Sequence, residues 1–458
     1  MGIAWRPEFK NRGLPVNPLF PFLLLKSYFT DVERLRKSEN EIEKYREREF
    51  KKILKLAMLT PLYREKYKGI DIKKINLERI EELPILTKKD LRKHFPDGIV
   101  PANFNKEKAH IVSTSGSTGQ PTSVYTDFYT IIKALMGFVR EIKEYGINWR
   151  KDKMTIIADL TAGSAEEAYL NRTALPSLRP IFSLNNMQIL HVGEDVEKLI
   201  EKINDFRPKF LGGYPGVLRA LAVLKKKGHG KNIEPEVIAS SGAVLDEYTK
   251  RYIEEIFNAR IYDVYGSTEA GPIAFECVKG NYHIHHDFVH LEFLNENLEP
   301  VKYGKAGHIV VTKLYGRATP IIRYNGLNDF VIPLARKCSC GINTPLIEKI
   351  AGRKADSIIT PDGKIIPPLS ITGIPGKVME RLNTFIVKQF QVVQEGFDEL
   401  NVYLVIENNE EMKEKIIEEI RKEFKKKIKD MKINIIETDE IRKEGLLTPV
   451  VKSKMKIE

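Results

Sequence analysis

From about residue 108 to residue 275 the chain alternates short apolar runs with longer amphipathic ones, and that alternation leaves few folds open. Met154-Thr155-Ile156-Ile157-Ala158 and Glu236-Val237-Ile238-Ala239-Ser240-Ser241-Gly242 are apolar runs leading into turns, so they read as buried strands. Residues 195–206 and 245–257 read as helices between such strands. Repeated strand–helix units predict an α/β fold with a largely parallel sheet. Upstream, Ile42, Tyr45, Phe50, Ile53, Leu54, Leu56 and Ala57 recur near helical spacing, predicting a charged amphipathic helix or helix pair over 30–67. Residues 19–25 (Leu-Phe-Pro-Phe-Leu-Leu-Leu) are apolar but short and broken by proline, and read as a buried N-terminal segment. Short β runs such as His308-Ile309-Val310-Val311-Thr312 fill 281–335. A break near Ala351-Gly352-Arg353 precedes a Gly/Pro-rich stretch and a βαβ-like tail. The expectation is two domains, a large α/β unit over 1–351 and a small α+β unit over 352–458.

Between two apolar stretches lies Ser113-Thr114-Ser115-Gly116-Ser117-Thr118-Gly119-Gln120-Pro121. Its glycines allow positive φ and close backbone approach, so successive N–H groups can converge on an anion, with hydroxyls as added donors. Such a loop fits a nucleoside triphosphate; the same composition also serves as a flexible linker or solvated turn. The choice depends on the rest of the chain.

A second glycine-centred motif is Tyr262-Asp263-Val264-Tyr265-Gly266-Ser267-Thr268-Glu269. Here a strand ends in a turn that presents an aromatic ring, hydroxyls and carboxylates together. Tyr265 can border a purine, Thr268 can contact phosphate, and Glu269 offers the hard oxygen that Mg²⁺ prefers. The alternative is an ordinary strand-to-helix turn with Glu269 near a helix start. A third motif is Arg323-Tyr324-Asn325-Gly326-Leu327-Asn328-Asp329, in which the Asp329 carboxylate can accept both hydrogens of a ribose diol or close a solvated Asx turn. Gly352-Arg353-Lys354-Ala355-Asp356 follows at the expected junction.

In this order the motifs resemble the adenylate-forming (acyl-CoA synthetase-like) superfamily, and within it the phenylacetate–CoA ligase-like branch. The resemblance covers nearly the whole chain. It implies a large N-terminal domain, a small mobile C-terminal domain and two half-reactions: activation of a carboxylic acid by Mg²⁺·ATP as an acyl-adenylate, then transfer to a nucleophile, usually coenzyme A. It assigns Ser113 to Gly119 to phosphate, Ser241, Gly242 and Ala243 to adenine, and Asp263, Tyr265, Gly266, Ser267, Asp329 and Arg353 to the rest of the nucleotide. Thr268 and Glu269 become catalytic, with Glu269 on magnesium. Gly213 and Tyr214 lie where the acyl pocket often begins, with Asp159 to Glu167 as a further generic candidate, and the branch favours an aryl or arylacetic acid. The chain departs from the family at Gln120, where a lysine is usual, at a ribose segment one residue longer, and at Ala355 in place of an acidic residue. The family's C-terminal catalytic lysine follows a glycine. Here no Gly-Lys pair survives, leaving Lys452 or Lys454 for that role, or both as plain surface lysines. A ligase with a non-CoA acceptor (a cofactor, sugar or protein) and a nucleotide-binding module without turnover are the other readings.

The three cysteines, Cys277, Cys338 and Cys340, fall in one part of the chain, with His283 shortly after the first. Three thiolates and an imidazole make a closed tetrahedral Zn²⁺ shell, a structural and not a catalytic site. His285 and His286 are rival fourth ligands, and some members of the branch carry a similar cluster. An odd, small number of cysteines argues against a disulfide framework and for a reducing cytoplasm.

The net charge of +12 is dispersed, much of it in Lys/Glu-rich helical stretches, with no recognition module for nucleic acid; an anionic substrate accounts for part of it. No run of eighteen apolar residues is present, so no membrane span is expected. The sequence leaves the oligomeric state open, a dimer included. If the 113–121 loop grips ATP phosphates without a lysine, Gln120→Lys should lower the KM for ATP; steady-state kinetics showing an unchanged KM would count against this placement.

Overall fold

The computed structural model describes residues 20–114, 121–170, 184–353, 357–366, 368–382, 384, 386–407, 410–441 and 451–455. Its centre is an eleven-stranded sheet. Five strands, Met187–His191, Met154–Ala158, Phe210–Gly213, Val237–Ser241 and Arg260–Ser267, run parallel in that spatial order. The rest, from Gly271–Glu276 through Tyr282–Ile284, Leu346–Arg353, Asp329–Leu334 and Gly307–Lys313 to Val289–Leu294, are antiparallel. The expectation of a largely parallel sheet therefore holds for one half only. Parallel neighbours need a crossover, whereas after Ser267 the chain turns back within four residues and pairs Gly271–Glu276 antiparallel, and the strands that follow keep that antiparallel pairing.

Side-chain alternation along the parallel strands divides two cores. Leu211, Ile238 and Ile261 face the helices Val196–Phe206, Pro215–Lys226 and Glu247–Phe257, packing on Leu199, Leu218 and Ile253. Phe210, Ala239 and Tyr262 join the core that holds the helix Phe128–Glu144 through Ile131, Leu135 and Ile142. That helix starts where Asp127 accepts the Thr130 N–H (2.7 Å), and the same carboxylate accepts the Ala318 N–H (2.7 Å), locking the two-stranded hairpin Ala109–Ser113/Ser123–Asp127 to the main body. Upstream, a Ser38–Glu41 capping box opens the helix Glu39–Ala57, followed by Pro61–Lys66.

Two boundaries differ from the sequence reading. Residues 20–31 form a helix in which only part of the apolar run is buried: Leu24 is inside, while Phe22 (66%) and Leu25 (43%) are exposed. Ala351, Gly352 and Arg353 end the strand Leu346–Arg353, with Arg353 opposite Asp329 and Gly352 opposite Phe330. Beyond them a separate four-stranded sheet, Lys432–Glu437, Glu399–Ile406, Val387–Gln394 and Val451–Ser453, packs on the helices Ile374–Arg381 and Glu410–Lys427 around Phe424, Ile420, Val402 and Val378.

One buried ion pair joins the N-terminal residues to this framework. Arg140 donates to Asp287 Oδ1 and Oδ2 (3.0 and 2.8 Å) and to the Asp31 carbonyl (2.6 Å), with Asp287 and Arg140 both buried. Removing one partner leaves the other charge uncompensated in the interior. Asp287→Ala should therefore lower unfolding stability by about 3–5 kcal/mol; a urea titration showing a loss under about 1 kcal/mol would contradict this account of the pair.

Candidate functional site

Parallel strands deliver all their carboxyl ends to one edge, and most of the sequence candidates stand there. Ala158 leads to Asp159, Gly213 to Tyr214, Ser241 to Gly242 and Ala243, and Ser267 to Thr268 and Glu269. In open α/β sheets this edge is where ligands bind. Gly242 has φ +82°, and a Cβ there would lie 2.2 Å from Tyr214 Cε1, so its backbone presses on the tyrosine ring. The Tyr214 hydroxyl donates to Glu166 Oε1 (2.5 Å), joining the two stretches expected near an acyl pocket. Ser241, Gly242 and Ala243 are exposed.

The hairpin neck adjoins the same edge. Ser113 N donates to the Gly163 carbonyl (2.8 Å), and Thr114 and Thr122 clasp each other through two bonds of 3.0 and 2.9 Å. Ser115, Gly116, Ser117, Thr118, Gly119 and Gln120 lie outside the described residues.

Around the end of Arg260–Ser267 the second and third motifs meet. Tyr265 donates to Asp329 Oδ2 (2.6 Å), and Tyr324 donates to Glu269 Oε1 (2.7 Å). Lys313 donates to the Glu269 carbonyl (3.2 Å), and Tyr315 to the Ala270 carbonyl (2.8 Å). Ser267 Oγ accepts the Ala270 N–H (3.0 Å), closing the turn that carries Thr268 and Gly266. Glu269 and Asp329 are both buried. Burial pushes the Lys313 ammonium down to about 8, against the pull of the Asp127 and Glu269 carboxylates. Asp263 instead accepts from Tyr282 (2.9 Å), and burial raises its carboxyl to about 7.

The C-terminal candidates stand on the small sheet. Lys452 lies opposite Val393, and Lys454, just past its strand, pairs with Glu395 just past the neighbouring one. The residues 442–450 before them lie outside the described part.

The cysteines and His283 converge. The four donor atoms lie within 4.8 Å of one another, with Cys277 Sγ to Cys338 Sγ at 3.7 Å and Cys340 Sγ to His283 Nε2 at 3.2 Å. Sulfur–sulfur separations of ~3.8 Å follow from tetrahedral Zn–S bonds of ~2.3 Å, so the donor set fits that ion. Thr344 Oγ1 holds His283 Nδ1 at 3.1 Å, leaving Nε2 for a ligand, and Asn281 Nδ2 donates to Cys338 Sγ at 3.2 Å. The rival histidines are elsewhere: His285 lies between Arg140 and Glu141, and His286 bonds Glu43.

Residues 64–314, more than half of the chain, match the AMP-binding enzyme family. The chain belongs to that family. Protein CapK of Staphylococcus aureus is 26% identical over 413 residues, 87% of this chain and 86% of the relative. The phenylacetate–coenzyme A ligase of Thermus thermophilus is 26% identical over 332 residues, 65% of this chain and 66% of its own. Among solved structures, a 2-hydroxyisobutyryl-CoA ligase in its postadenylation state shares the fold at TM-score 0.76 and 18% identity, over 98% of this chain and 94% of that one. The same ligase in its thioesterification state aligns at 0.61 and 19% identity, over 99% and 97%. This AMP-binding enzyme is thus an adenylate-forming ligase of the phenylacetate–CoA ligase-like branch.

Three members of the edge cluster escaped the sequence reading of this AMP-binding enzyme. Tyr324 stood inside a quoted motif without a role, while Lys313 and Tyr315 lay outside every motif. One signal was available for Lys313: a cation closing the otherwise apolar run Ile309-Val310-Val311-Thr312. Arg323 of the third motif is a support, bound to Glu292 and to the Glu81 and Leu83 carbonyls.

Proposed function

We propose that the protein activates a carboxylic acid with ATP and Mg²⁺ and passes the acyl group to coenzyme A. The carrying observation is the coupled pair Tyr265–Asp329 and Tyr324–Glu269, which sets two buried carboxylates at the strand edge beside the exposed Ser241-Gly242-Ala243 segment. In the first step a carboxylate oxygen of the acid bonds to the α-phosphorus of ATP, and pyrophosphate leaves. In the second the thiol sulfur bonds to the acyl carbon, AMP leaves, and the thiol proton passes to solvent. Asp329, oriented by Tyr265, holds the ribose hydroxyls as a two-oxygen acceptor. Glu269, oriented by Tyr324, would hold Mg²⁺, whose charge would offset that developing on pyrophosphate. Ser113 and Thr114 anchor the loop that receives the β- and γ-phosphates. Tyr214 and Gly213 border the acid, an aryl or arylacetic one on the branch's pattern, and Lys452 or Lys454 brings positive charge to the α-phosphate. The chain divides into an adenylation unit that includes the strand Leu346–Arg353 and a small unit beyond it.

Carboxylate-dependent ATP–pyrophosphate exchange over a broad acid panel tests the first step, and CoA-dependent release of AMP tests the acceptor. Exchange with no acid at all would sink the ligase reading; exchange without thioester formation would leave a non-CoA acceptor. Glu269→Gln should lower exchange about 10²- to 10³-fold, the size seen when one charge-stabilising group is lost from a preorganised site. An unchanged rate would remove Glu269 from the mechanism.

We further propose that Cys277, His283, Cys338 and Cys340 hold one structural Zn²⁺ per chain. A closed shell of four protein ligands leaves no position for substrate, so the ion fastens the strand ends and not the chemistry. Purified protein should contain one zinc per chain by elemental analysis. Cys338→Ser should lose the metal and lower the unfolding temperature, and full-length protein with no bound metal would refute the site.

A further inference from the structure

The small C-terminal unit meets the large one at a contact that only glycine permits. Asp246 caps the helix Glu247–Phe257 by accepting the Tyr248 and Thr249 N–H groups (3.1 and 3.0 Å), which fixes Tyr248 in its first turn. The Tyr248 ring sits 5.6 Å from the Arg219 guanidinium, stacks with Tyr252 at 6.3 Å and directs its hydroxyl to Met379 Sδ (3.8 Å). Met379 belongs to the helix Ile374–Arg381, whose Val378 and Met379 are part of the C-terminal core. On the same helix the Gly376 backbone lies against Tyr248: a Cβ at 376 would stand 2.1 Å from Tyr248 Cβ, 2.4 Å from Cγ and 2.8 Å from Cδ2. Real Cβ contacts are never that short, and the obstructing atoms are the root of a tyrosine, which cannot swing aside. Any larger residue at 376 must push the two helices apart.

The place of this contact gives it a consequence. Tyr248 lies five residues beyond Ala243, at the exposed nucleotide edge, while Gly376 belongs to the unit that carries Lys452 and Lys454. The whole chain aligns at 0.76 with the 2-hydroxyisobutyryl-CoA ligase after adenylation and at 0.61 with the same ligase during thioesterification, over nearly equal coverage. The arrangement that contains the Tyr248–Gly376 contact is thus the one resembling the first of those states. We propose that this contact pins the C-terminal unit in the pose for acyl-adenylate formation and separates when the unit turns for the thiol step. Gly376 and Tyr248 are positioning residues: neither touches substrate. The proposal rests on the two-step ligase reading above.

The test uses full-length Gly376→Val and the double variant Tyr248→Ala/Gly376→Val. Without any ligand, deuterium uptake by residues 374–381 should quicken about tenfold in Gly376→Val and return toward wild type when Tyr248→Ala reopens the space. With the panel acid that gives the fastest exchange in wild type, ATP–pyrophosphate exchange should fall at least tenfold in Gly376→Val and recover in the double variant. Release of AMP by CoA from the purified acyl-adenylate of that acid should stay within twofold. Unchanged deuterium uptake and exchange in Gly376→Val would overturn the pin, as would equal loss of both half-reactions without rescue. If wild type exchanges with no acid, the ligase reading fails instead. The deuterium readout and its rescue then still decide whether the contact holds the two units together.

Discussion

Everything at the candidate site depends on five strands running the same way. Each parallel pair is joined by a crossover, so every strand ends on the same edge and hands its next residues to one surface. Tyr214, Gly242 and Glu269 are distant in sequence and stand at one edge for that reason. The antiparallel half then serves as an arm. It returns from Ser267 through four more strands and brings Tyr324 and Asp329 back to Glu269 and Tyr265 at the end of the last parallel strand. Without the change from parallel to antiparallel pairing, Asp329 and Glu269 would not share a cluster.

The motifs were legible because their chemistry is local. A Ser/Thr/Gly loop, a Tyr-Gly-Ser-Thr-Glu turn and three cysteines with one histidine each announce a donor set within a few residues, and the turn and the cysteine–histidine set close up in the structure as their spacing implied. Lys313 and Tyr315 announce nothing locally. They matter because the strand Gly307–Lys313 passes beneath the 269–271 turn, a relation set by sheet order. The choice among His283, His285 and His286 was equally closed to sequence. Residues 283 and 285 of an extended segment share a face, and only the long-range partners, Thr344 for one and Arg140 with Glu141 for the other, separate them. The N-terminal apolar run misled for a simpler reason: hydrophobicity states a preference for burial, while the helix Phe20–Asp31 has one covered face and leaves Phe22 and Phe29 outside.

The cysteine–histidine quartet and the Arg140–Asp287 pair solve the same mechanical problem by different chemistry. The quartet ties Cys277 at the end of Gly271–Glu276 to the loop before Leu346–Arg353, and Arg36 reaches that loop by donating to the Cys340 carbonyl (2.9 Å). The ion pair ties the end of Phe20–Asp31 to the helix Phe128–Glu144 and to Asp287. Arg36, through the Cys340 carbonyl, and Arg140, through the Asp31 carbonyl and Asp287, fasten the N-terminal residues against the arm that carries Asp329. A bidentate ion pair is directional, so it fixes register where apolar packing alone would allow sliding.

Charge at the edge follows from burial. Glu269 is 3% exposed, and a carboxylate so placed needs compensation whether or not a cation is bound. Tyr324 supplies a hydroxyl to its oxygen, and Lys313 supplies a fixed ammonium beneath its carbonyl. This ammonium is held by the strand that supports the turn, so its place beside the Glu269 carbonyl is set by the sheet. Lys313, the buried cation in contact with the Glu269 turn among the described residues, thus belongs to the scaffold. Positive charge at this edge is therefore a property of the fold, present before any nucleotide arrives.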